Sequence, residues 1–136
     1  MRKTWVAIFA GFLLFGCTDK KAEEKALLDD VLKVHNHVMG TDEQLVKDKM
    51  MLDTLVAKSP GATVKDSAKK YSALLDNAES VMDKWMYKFD PDYKGKSHDD
   101  VITYLSSQKK QIMAIDTMLD TSVKKSNKYL SNIKSK

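Results

Sequence analysis

Only two prolines interrupt the 136 residues, and each stands in a strong turn signal: Ser59-Pro60-Gly61-Ala62 and Asp90-Pro91-Asp92-Tyr93-Lys94-Gly95. Proline has no N–H to give and pushes the residue before it out of the helical region, so no helix runs through either place. The stretches between are long, poor in glycine and rich in Lys, Leu, Met and Ala, which favour helix. This punctuation predicts three helices joined by two short loops.

The apolar residues carry the same message. Leu27, Val31, Val34, Val38, Leu45, Leu52 and Leu55 recur at three, four or seven residues and form the stripe of a first helix. Gly40-Thr41-Asp42 interrupts it, with Thr41 and Gln44 at the spacing of a capping box; so short a break favours one kinked helix over two. Thr63 and Asp66 have capping-box spacing at the start of a second helix, expected over 64 to 89, with Ala68, Tyr71, Leu75, Ala78, Met82, Trp85 and Phe89 inside. Ser97 and Asp100 cap a third. Its seam, Val101, Leu105, Gln108, Ile112, Ile115, Leu119, Ser122, Ser126, Tyr129 and Ile133, is a heptad pattern diluted by polar residues. The expected fold is all-α, an antiparallel up-down-up three-helix bundle with long first and third helices, over 26-136. The shorter second helix leaves the ends of its neighbours overhanging.

The amino terminus reads as an address. Arg2-Lys3 precedes the apolar run Trp5 to Phe15, which at eleven residues is too short for a bilayer that needs about 20. Leu13-Leu14-Phe15-Gly16-Cys17 resembles the lipobox of bacterial lipoproteins, with a bulky Phe15 where a smaller residue is usual. This predicts a cleaved signal peptide over 1-16 and a lipidated Cys17, the chain's single cysteine, followed by a charged tether over 17-25. Acyl chains such as palmitate anchor a protein through about 0.8 kcal/mol per buried methylene. The expected location is the cell envelope, lipid-anchored, at the outer membrane on its periplasmic face or at the cell surface.

Loss of Arg2 and Lys3 with the signal lowers the net charge from +4 to +2, leaving 21 basic against 19 acidic residues and no arginine. A nucleic-acid binder carries a concentrated basic face, and with charge this evenly balanced no nucleic-acid partner is expected. The basic residues after Asp120, Lys124, Lys125, Lys128, Lys134 and Lys136, suit the negative pole of the third helix. No GxSxG, Walker A, HExxH or CxxC pattern occurs, and the carboxylates are scattered over solvent-facing positions. We expect no enzyme and no cofactor, but a helical module that binds an envelope protein partner, self-associates or acts as a spacer.

One cluster offers an alternative. His35 and Met39 are four apart on the first helix, Met82 and Met86 four apart on the second. A reversal about Pro60-Gly61 brings His35 level with position 87 and Met39 level with 83. Thioether and imidazole select Cu(I), so these four residues are candidate metal ligands, with His98 as a further one. Against this, methionines commonly fill core gaps and contact aromatic rings, here Trp85.

Three segments, His35-x-x-Val38-Met39, Met82-x-x-Trp85-Met86-x-x-Phe89 and Tyr104-Leu105-x-x-Gln108-Lys109-x-x-Ile112, resemble recurrent stretches of small uncharacterised helical lipoproteins of Bacteroidota-type bacteria. Some of these carry the label viral A-type inclusion protein, which implies no viral function. The resemblance spans most of the chain after Cys17 and implies a helical bundle at the envelope. Members of that group often carry a Pro-containing segment after the Val-Met pair, where this chain has Gly40-Thr41-Asp42.

Overall fold

The computed structural model describes residues 15–135, with side chains from 19 onward. Residues 1–14 of the expected signal peptide and the Cys17 side chain lie outside what it describes. The described residues form three helices, α1 (Phe15–Lys58), α2 (Ala62–Lys88) and α3 (His98–Lys134), and no strand. Each helix packs against the other two.

Seven-residue spacing organises the core. On α1, Val31, Val38, Leu45 and Leu52 are fully buried; α2 adds Ala68, Leu75, Ala78, Met82 and Trp85; α3 adds Val101, Leu105, Ile112, Ile115, Leu119, Val123 and Leu130. A period of 3.5 residues keeps one edge of each helix turned toward its partners along its whole length. Each fully buried Val or Leu contributes about 1.5–3 kcal/mol of transfer free energy, the main term holding the helices together. These residues all lie between Val31 and Leu130, well after Cys17.

Cross-helix pairs fix the registers. Between α1 and α3, Glu24 meets His98, Asp30 meets Lys109, His37 meets Asp116 and Asp48 meets Ser126. Between α1 and α2, Lys49 meets Asp76 and Glu79, while Asp53 meets Ser72. Between α2 and α3, the Asn77 amide lies 3.9 Å from the Met118 sulfur, and the Tyr129 hydroxyl donates to the Val64 carbonyl at 3.0 Å.

Gly40 lies inside the unbroken α1. Thr41 does not cap a second helix; its hydroxyl donates back to the His37 carbonyl at 3.3 Å, a bond typical of Thr within a helix. The expected tether also differs: residues 19 to 25 are helical. The segment Ala22-Glu23-Glu24-Lys25 consists of helix formers, Lys25 pairs with Asp29 one turn on, and Glu23 and Glu24 reach His98.

The two loops behave differently. At the first, Gly61 is the N-cap of α2 and no side chain caps it, so Thr63 and Asp66 already lie within the first turns rather than forming a capping box. At the second, Asp90 N donates to the Tyr104 hydroxyl at 2.7 Å and Asp92 N to Asp90 Oδ1 at 3.0 Å. Tyr93 and Gly95 take left-handed φ of 33° and 77°, which glycine adopts freely and tyrosine does not. Ser97 then caps α3 as expected, its hydroxyl oxygen accepting from Asp100 N at 3.3 Å.

Candidate functional site

Trp85 is the centre around which the sequence placed its candidate ligands. It is 6 % exposed and its ring stacks on Phe89, with centroids 4.8 Å apart; Phe89 continues to Tyr104 at 6.4 Å. The His35 ring faces Trp85 at 5.9 Å, tilted by 34°. His35 therefore meets position 85 and not 87, because Tyr87 points outward at 91 % exposure while Trp85 takes the inward edge of α2.

The four candidate ligands occupy unequal environments. Met82 is 2 % exposed within the core, Met86 is half-buried against it, and His35 is half-buried on the indole. Met39 is 40 % exposed and is not among the residues packed on the core. His98 stands beside Glu24, eleven residues before His35 on α1, or about 16 Å along the axis. Its two ring nitrogens already face carboxylates, Nδ1 at 2.9 Å from Glu24 and Nε2 at 3.4 Å from Glu23. Among the described residues, no group of three or more His, Cys, Asp or Glu side chains is disposed to hold a metal ion. The buried Trp85 Nε1 has no hydrogen-bond partner, an uncompensated donor in the core.

A second polar locus lies on the α1–α2 side. Lys49 Nζ sits 2.7 Å from Asp76 and 2.6 Å from Glu79, and these hydrogen bonds hold its pKa above the usual lysine value. Asp42 is close by. Burial raises its carboxyl above the ordinary range, and the charges of Glu79 and Asp83 push in the same direction; its Oδ1 has no partner. On the α1–α3 side, the Lys109 ammonium lies 2.6 Å from Asp30 and lowers that carboxyl's pKa through hydrogen bonding and charge.

The sequence reading missed Asp48. It is fully buried and takes the companion inward position on α1, three residues after Leu45 and four before Leu52. The Ser126 hydroxyl donates to Asp48 Oδ2, with the Val123 carbonyl 2.9 Å away as a second acceptor, and Gln44 Nε2 donates to Asp48 Oδ1 at 2.8 Å. Spacing alone could have found it, since three after Leu45 is an inward step.

Comparison with protein-family models, curated proteins and solved structures found no match.

Proposed function

We propose that this chain is a membrane-anchored envelope lipoprotein, non-enzymatic, whose helical bundle acts as a protein-interaction or spacer module. The observation that carries the reading is the sequence Leu13-Leu14-Phe15-Gly16-Cys17 behind a basic and apolar leader. Among the described residues no helix is long and apolar enough to cross a membrane; in this reading a lipid on Cys17 is the means of attachment. The order of the cross-helix pairs supports an up-down-up bundle. Partners rise together along α1 and α3, whereas residue numbers on α2 fall as those on α1 rise. With residues 19 to 25 helical, such a bundle stands on its anchor through a stiff connection, which suits a spacer.

Membrane fractionation of a Cys17→Ala chain with its leader intact tests this. Release into the soluble fraction is expected; retention as an integral membrane species would overturn the lipoprotein reading. A second reading, Cu(I) binding, is favoured by the approach of His35 to Trp85, which shares a core cluster with Met82, with Met86 packed against that cluster. Competition for Cu(I) against a chromophoric chelator decides it, with His35, Met39, Met82 and Met86 changed to Leu as the control.

A further inference from the structure

Near the ends of α1 and α3 a groove of about 390 Å³ opens between the two helices, lined by Met50, Met51, Thr54, Leu55, Leu130, Ile133 and Lys134. Met50 is 67 % exposed although it is apolar. The Thr54 hydroxyl is already engaged, donating to the Met50 carbonyl at 2.9 Å. Among the described residues, Lys134 is thus the one free polar donor on an otherwise apolar lining, and it makes no ion pair with any of them.

We propose that this groove binds a single-chain anionic amphiphile, its hydrocarbon among the methionines, Leu55 and Ile133 and its carboxylate on Lys134. The volume falls in the usual range for small-molecule sites, roughly 300–1,000 Å³. Methionine thioethers adapt to a flexible chain better than branched side chains do. Charge selects an anion: after Asp120 the sequence of α3 holds lysines and no acid. Lys134 also offsets the dipole at the end of α3, a role that leaves its ammonium free to turn toward a ligand. Length argues against a partner helix. The apolar lining covers residues 50–55 of α1, about 8 Å of axis, and on the α1–α3 face nearer the start of α1 the apolar pair Val34 and Met113 is ringed by Asp30, Lys33, His37, Lys109 and Asp116. A helix docking in a groove needs contiguous apolar anchors over two turns or more, and here charged side chains flank the next apolar pair, Val34 and Met113, whereas one short acyl chain is satisfied by the groove alone.

The test is methyl NMR of the methionines in residues 17–136 carrying Cys17→Ser, titrated with decanoate below its micellar concentration and, in parallel, with uncharged decanol. Decanoate is expected to shift the Met50 and Met51 methyls saturably and to leave Met39, Met113 and Met118 in place. Decanol should bind about threefold to fivefold more weakly, the size of one solvent-exposed charge pair, and Lys134→Gln should bring decanoate down to the level of decanol. Met50→Glu, a change at an exposed position, should abolish the shift at Met51 while the helical spectrum is kept. Equal shifts at all exposed methionines, no saturation, or no preference for decanoate would overturn the proposal. So would concentration-dependent shifts at Met50 and Met51 without decanoate, which would give the groove to a second copy of the chain.

Discussion

The two ends of the bundle solve the same packing problem with different chemistry. Toward the end of α2 the inward positions carry rings, with Trp85 and Phe89 stacked and His35 and Tyr104 against them. Toward the end of α1 the equivalent positions carry Asp48, Ser122 and Ser126, all buried, before the stacked pair Tyr71 and Tyr129. A ring contributes through area and fit, and tolerates no loss of volume. A buried carboxyl contributes little net stability, but it requires its partners in place, so it selects one register among those that a repeating seam permits. The aromatic end should supply more of the stability, and the polar end more of the uniqueness.

The largest effect should come from Trp85→Ala. Truncating a buried Trp costs about 3–5 kcal/mol, read from urea unfolding followed by circular dichroism. A loss below that range would mean that the aromatic end is not the stronger one. Next comes the polar end. Ser126→Val removes the hydroxyl that Asp48 accepts from and should cost about 1–3 kcal/mol, whereas Asp48→Leu combined with Ser126→Ala should be close to neutral. If the double variant loses as much as the single one, the pair does more than satisfy itself.

Between the two ends lies Gly40, where an added Cβ would meet nothing within 4 Å. Gly40→Ala should stabilise the protein by about 0.5–1 kcal/mol through helix propensity and a less flexible unfolded chain, seen as a raised urea midpoint. The smallest effect belongs to Asp42. Its carboxyl has a raised pKa in the folded state, so folding holds its proton more tightly and stability falls as pH rises through that range. Asp42→Asn should therefore raise the melting temperature slightly at pH 7 and leave it unchanged near pH 3.

The seam was readable because period-seven spacing and two prolines admit few alternatives: all the positions read as inward on α2 are buried or half-buried. Asp48 escaped because a carboxylate among lysines and acids reads as surface, and of the two donors that make its burial tolerable, Gln44 and Ser126, the second is far off in sequence. The helical state of residues 19 to 25 escaped for a related reason. Charge suggested a tether, while the contact with His98 that organises it is 74 residues away. Of the candidate ligands, Met82 is buried and Met86 half-buried against the same core, while Met39 is exposed, a difference that four-residue spacing does not encode.

The continuity of α1 also has a mechanical side. Forty-four residues of helix extend about 66 Å; α3 pairs with that length from Glu24 to Asp48, and α2 pairs with its later half, from His35 to Asp53. Such an element is a lever: a tilt of about 10° at its first turn sweeps its last turn, and the methionine groove beside it, through roughly 11 Å. Whatever grips the start of the chain thereby steers what the far end can reach.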